Sequence, residues 1–261
     1  MKRKLIELDI NDYPEEYREL IEKSVVYDSS CSREARVMFI DSGVGYFLKS
    51  APKNTLLTEA KMAEYFGKKQ LTSRMISYLS LDRDWLLTER VKGEDCTYGE
   101  YLSDPERLCD TFASLLRKLH ETDFSDCPVC DRLTTYEKTA KENYEKGKGD
   151  LSLFSGSFGF SSIEEAWNVW QDGKKYLKND TLIHGDYCLP NVMLDNWKFS
   201  GFIDLGNGGV GDRNIDIFWG VWTLFFNLHT EKYTDRFLDA YGRDKVNTEL
   251  LRVVAAAEVF G

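Results

Sequence analysis

No apolar run in this 261-residue sequence is long enough to cross a bilayer; the longest, Ile215 to Phe226, is broken by Asp216. The opening MKRKLIELDINDYPEEY is basic only at its tip and meets acids too soon to form a secretory leader. A cytoplasmic protein without a membrane partner is therefore expected. Tracts rich in Pro, Ser or Gln are also missing, as are internal repeats, so order is expected nearly throughout. There is no basic surplus: 34 Lys and Arg against 44 Asp and Glu give a net charge of −10. That balance argues against a nucleic-acid partner, which needs cations to displace counterions, and suits a cationic ligand if the acids gather around a cleft. The six cysteines are scattered, which fits reduced thiols rather than a disulfide framework. Cys127 and Cys130 form a CxxC, but no second pair completes a zinc site.

The length allows one two-lobed domain or two small ones. Helical spacing over 12–24, after Asn11 as an N-cap, predicts an opening helix. Strand-like runs at 35–40 and 46–48 flank Asp41-Ser42-Gly43-Val44-Gly45, which has the residues of a hairpin turn. A helix over 57–66 and strands near 76–79 and 85–87 complete a small sheet crossed by one helix. From there the pattern turns helical. Leu108, Phe112, Leu115, Leu116 and Leu119 share one face of a helix over 105–120. The expected division is therefore 1–90 and 91–261. Residues 138–160, polar and then rich in Gly, Ser and Phe, suggest a mobile lid, followed by a Ser162–Glu165 capping box opening a helix through Tyr176. Short strands at 181–183 and 199–203 and helices near 214–228 and 246–259 finish the chain.

The two short strands frame HGDYCLPN (184–191) and FSGFIDLG (199–206), which place Asp186, Asn191 and Asp204 on strand-flanked loops. Such a set suits phosphoryl transfer. One carboxylate can orient a hydroxyl and accept its proton, while a carboxamide and a second carboxylate hold Mg²⁺ against nucleotide phosphates. Gly206 to Gly211 fits GxGxxG, yet it opens no helix in a βαβ unit and lacks a downstream acidic ribose ligand, so a dinucleotide fold is not expected.

The compound pattern HGD-x4-N…IDxG resembles the catalytic core of the aminoglycoside phosphotransferases, and within them the 3′-phosphotransferase (kanamycin kinase) branch. LLRKLHETDFSDCP at 115–128, GDRNIDI at 211–217 and the closing EVF agree with it. The resemblance implies an α+β, protein-kinase-like fold with a small antiparallel sheet lobe and a larger, mainly helical lobe. It further implies an enzyme that moves the γ-phosphate of ATP or GTP, with Mg²⁺, to the 3′-hydroxyl of an aminoglycoside and so inactivates the antibiotic. Asp186 would be the catalytic base, Asn191 and Asp204 the metal ligands, and His184 and Asp216 the supports of the loop. Lys49 and Glu59 would orient the α- and β-phosphates, with Phe47 facing the adenine. Glu89 and Val91 would read its edge through the hinge backbone, and Ser32 would contact the γ-phosphate.

For the acceptor, Glu258 and Phe260 match the family's closing acid and aromatic, and Asp212 and Glu165 are candidate additional acids. Ala257 stands where an aspartate is usual, and Phe226 and Asn227 where acids often lie. The expected partner is thus a small cationic molecule, with no obligate protein partner. Two alternatives stand beside it: a kinase for another hydroxylated amine such as choline or an amino sugar, and a kinase-like nucleotide binder without turnover.

Overall fold

The computed structural model describes residues 4–31, 35–152, 154 and 156–261. By internal contacts the chain forms two compact units, Met1–Asp95 with Met193–Gly206, and Cys96–Val192 with Asn207–Gly261. The sequence suggested a single cut at 90/91; instead the first unit takes back a segment from far downstream.

The first unit carries β1 (Lys4–Leu5), α1 (Glu15–Glu22), β2 (Val25–Asp28), β3 (Arg36–Asp41), β4 (Tyr46–Pro52), α2 (Leu57–Lys68), β5 (Met75–Ser80), β6 (Arg83–Glu89) and β7 (Glu94–Asp95). The larger sheet runs β1-β2-β3-β4-β6-β5, with antiparallel neighbours. The β3–β4 turn closes as its composition predicts: Gly45 takes φ +83° and its N–H donates to Ser42 O at 2.8 Å. One face buries Tyr13, Tyr17, Met38, Ile40, Leu48, Trp85 and Leu87 in a single cluster. The opening helix is shorter than expected. Asp9 Oδ1 caps Asn11 N at 3.0 Å within a 3-10 turn over Ile10–Asp12, and extended Pro14 (ψ 142°) delays α1 to Glu15.

The second unit contains α3 (Gly99–Leu102), α4 (Pro105–His120), α5 (Arg132–Glu145), α6 (Ile163–Gly173) and β8 (Thr181–Ile183). The chain then re-enters the first unit through β9 (Val192–Asp195) and β10 (Lys198–Phe202), in a sheet ordered β10-β9-β7. It finishes in the second unit with β11 (Gly209–Gly211), α7 (Arg213–Leu228), α8 (Thr234–Tyr241) and α9 (Thr248–Glu258). The Gly206–Gly211 stretch opens no helix; β11 pairs antiparallel with β8.

The expected lid at 138–160 is corrected in its described part. Residues up to Glu145 belong to α5, because Asp131 caps that helix through Thr134 N at 3.0 Å. Farther on, Asp150 N donates to Val259 O at 2.9 Å, and buried Phe154 packs on Phe218, Trp219 and Trp222. The helix after Ser162 ends at Gly173 and gives way to a 3-10 turn over Lys174–Tyr176; a Cβ at Gly173 would lie 2.2 Å from Val253 Cγ2, so glycine allows that packing.

Candidate active site

In the first unit, strand β4 and helix α2 bring Lys49 to Glu59, with Nζ 3.0 Å from Oε1 and 2.8 Å from Oε2. The same ammonium donates to Asp204 Oδ1 at 2.9 Å. Burial works against its charge, but the two carboxylates win and raise the Lys49 pKa. The ammonium therefore stays protonated across and above the neutral range. Asp204 follows β10 and sits at φ +60°, a left-handed conformation that aspartate tolerates better than most residues. Its Oδ2 has no partner among the described residues and is open to a ligand.

Phe47 lies two residues before Lys49 on β4, and its ring meets that of Phe39 at 5.2 Å. Glu89 is less available than expected. Its N–H donates to Arg74 O at 2.9 Å, its carbonyl accepts from Ser73 Oγ, and its carboxylate pairs with Arg74. Only a second carbonyl lone pair remains for an adenine edge. Val91 is buried, and a Cβ at Gly201 would lie 2.9 Å from its Cγ1, so that glycine makes room for it. Ser32 lies outside the described residues.

In the second unit the loop after β8 is held from beneath by Asp216 of α7, which is fully buried. Its Oδ2 accepts from His184 N at 2.7 Å and its Oδ1 from Gly185 N at 2.7 Å. Gly185 takes φ +80°, and a Cβ there would lie 2.0 Å from Asn207 O, so no other residue fits. His184 is buried, and its Nδ1 accepts from Asp186 N at 3.3 Å. Asp186 presents Oδ2 to Asn191 Nδ2 at 2.9 Å, and the same Nδ2 reaches Asp186 O, also at 2.9 Å. The Asn191 amide nitrogen is thus engaged, which leaves Oδ1 as a free acceptor.

A second layer was not assigned from sequence. His120, at the end of α4, puts Nε2 3.1 Å from Asp216 Oδ2 and Nδ1 2.8 Å from Tyr241 Oη. Burial lowers its pKa despite the nearby carboxylate, so the imidazole is neutral. This network requires Nε2–H donating to Asp216 and Nδ1 accepting from tyrosine. The signal was present in LHETD, where a histidine closes an apolar helical face.

The four acceptor residues separate sharply. Asp212 is the N-cap of α7: Oδ1 accepts from Asn214 N and Nδ2, and Oδ2 from Lys178 N at 2.8 Å. Glu165 accepts from Ser161 N and Oγ through Oε2 and pairs with Arg252 at 2.9 Å through Oε1. Both carboxylates are consumed by the fold. Phe260 is buried, with its ring edge-on to Tyr144 and Trp167. Glu258 differs from these three. Tyr136 Oη donates to its Oε1 at 2.8 Å and Trp219 Nε1 to the same oxygen at 3.1 Å. Burial, reinforced by the charge of Asp186 and opposed by those two donors, pushes its pKa up to about 7.

The sequence matches the model of the phosphotransferase enzyme family over residues 32–253. The chain belongs to this family. Among curated relatives of this phosphotransferase, a probable aminoglycoside 3′-phosphotransferase of Lactococcus lactis is 48% identical over 259 residues, which covers 99% of this chain and 98% of the relative. The crystal structure of an aminoglycoside-3′-phosphotransferase of type VIII superposes with TM-score 0.69 at 23% identity, covering 90% of this chain and 91% of that one. An aminoglycoside phosphotransferase from Streptomyces rimosus, in complex with ADP and streptomycin, gives TM-score 0.70 at 19% identity, with 87% and 91% covered. The α+β, kinase-like reading of the sequence is therefore correct, with an antiparallel sheet unit and a mainly helical unit.

Each unit also offers an oxygen of the hard type that divalent cations take. Asp204 Oδ2 in the first unit, and separately Asn191 Oδ1 in the second, have no protein partner among the described residues. Among those residues no cluster of three or more His, Cys, Asp or Glu forms a metal cage. A cation that keeps several waters and takes substrate phosphates as ligands needs no such cage.

Proposed function

We propose that this phosphotransferase transfers the γ-phosphoryl group of ATP or GTP to the 3′-hydroxyl of an aminoglycoside, inactivating it. The observation that carries the reading is the held Asp186. The two residues before it are fixed by Asp216 through their amides, its own N–H donates to His184 Nδ1, and its Oδ2 is oriented by Asn191, an arrangement suited to proton acceptance from an acceptor hydroxyl. The 48%-identical relative named as a 3′-phosphotransferase supports the regiochemistry. The ADP and streptomycin in the S. rimosus enzyme support the two substrate classes.

In this reading Lys49, held by Glu59, orients the α- and β-phosphates, and Asp204 and Asn191 supply protein ligands to Mg²⁺. Bound Mg²⁺ would neutralise phosphate charge. The protein supplies no covalent nucleophile: Asp186 aligns the acceptor oxygen and takes its proton, and Glu258 Oε2 pairs with an acceptor ammonium. Because Asp212 and Glu165 are committed to structure, the acceptor is read by fewer carboxylates than a polyamine drug would fill. This keeps a smaller hydroxylated amine, such as an amino sugar or choline, as the second reading.

The test is product mapping. Incubation with kanamycin, nucleotide and Mg²⁺ is expected to give a 3′-phosphorylated product by NMR, and an aminoglycoside lacking the 3′-hydroxyl is expected not to turn over. Phosphate at another position, or turnover of choline alone, would overturn the regiochemical or the substrate assignment respectively.

A further inference from the structure

We infer that Tyr136 and Trp219 are positioning residues for the acceptor. They hold Glu258 by one oxygen and leave its other oxygen to an ammonium group. This rests on the proposed reading of Glu258 as the acceptor's carboxylate. The geometry is one-sided: both donors converge on Oε1, from α5 at 2.8 Å and from α7 at 3.1 Å. Among the described residues Oε2 accepts no hydrogen bond, and it lies beside Gly261, where a Cβ would approach to 2.6 Å. A carboxylate bonded through one oxygen from two different helices cannot rotate freely, so Oε2 keeps a fixed direction.

The groups facing Glu258 explain why the clamp is needed. Asp186 contributes an opposing negative charge from its loop. Tyr136 is itself held protonated by burial and by the charges of Glu258 and Asp212. Cys188 is likewise kept as a thiol by burial and by Asp186. No cation appears among these neighbours, so the tyrosine and indole donors are what stabilise the anion before an ammonium arrives. Hydrogen bonds to a charged form favour that form. Trp219 is also the first ring of a row that continues through Trp222 at 5.2 Å to Phe226 at 5.0 Å, so apolar surface follows where further acids were expected.

The experiment is a carboxyl-carbon NMR titration of the full chain, with the Glu258 signal assigned by its loss in Glu258→Gln. The wild-type midpoint is expected near 7. In Tyr136→Phe, and separately in Trp219→Phe, it should move up by about one pH unit. Acceptor KM in Tyr136→Phe should then rise about fivefold at pH 7 and return to within about twofold of wild type by pH 8.5, with nucleotide KM unchanged. An unshifted midpoint in both variants, or a KM defect that persists at pH 8.5, would overturn the inference. The titration needs no substrate. If the clamp is seen but no aminoglycoside turns over, the substrate assignment fails and the clamp stands.

Discussion

Asp216 spends both oxygens on backbone amides of the loop after β8 and receives a third donor from His120. A buried carboxylate with three donors is stable without a cation, which allows His120 to remain neutral. The sign of the resulting pH dependence follows from the lowered His120 pKa. The unfolded histidine takes up a proton near pH 6.5 and the folded one does not, so stability is complete above that value and falls as pH drops through it. Urea unfolding should lose about 1.4 kcal/mol per pH unit below about 6.5, and His120→Gln, which can keep both hydrogen bonds, should lack that slope. An unaltered slope in the variant would assign the acid sensitivity elsewhere.

Helix α7 carries much of the site on one element. Asp212 caps it, Asp216 holds the loop that carries Asp186, Trp219 reaches Glu258, and Thr223 Oγ1 accepts from Leu189 N at 3.2 Å. Asn227 only folds back onto Thr223 O at 2.8 Å. Asp212→Ala should cost about 2–4 kcal/mol, the sum of a lost cap and an orphaned Lys178 amide. Acceptor KM should stay within about twofold. A large KM change without lost stability would return Asp212 to the substrate. The candidate set Asp186, Asn191 and Asp204 was legible from its order and spacing, and the resemblance pointed to the Lys49–Glu59 pair, which the structure brings together. The roles of Asp212, Glu165 and Phe260 were not legible, because capping and packing use the same residue types as ligand binding. Tyr136 and His120 were missed for a related reason. Their partners lie 122 and 96 residues away, beyond any local pattern.

Across the whole molecule, the charge of −10 gave no indication of where the acids act. Several form exposed i,i+4 pairs such as Lys23–Glu19 and Lys68–Glu64, and these contribute little to stability. The acids with a role in the proposed reaction are few, and a half-buried or buried donor orders each one: Lys49 for Glu59 and Asp204, Asn191 for Asp186, Tyr136 and Trp219 for Glu258. Among the described residues no helix is long and apolar enough to cross a membrane. The central demand of the proposed reaction is a base at Asp186. The most direct measurement is coupled nucleotide turnover with Mg²⁺ and kanamycin, comparing wild type with Asp186→Asn. The account predicts acceptor-dependent turnover in wild type and a loss of about 10²-fold or more in the variant, with nucleotide affinity retained. Full turnover by Asp186→Asn would contradict it.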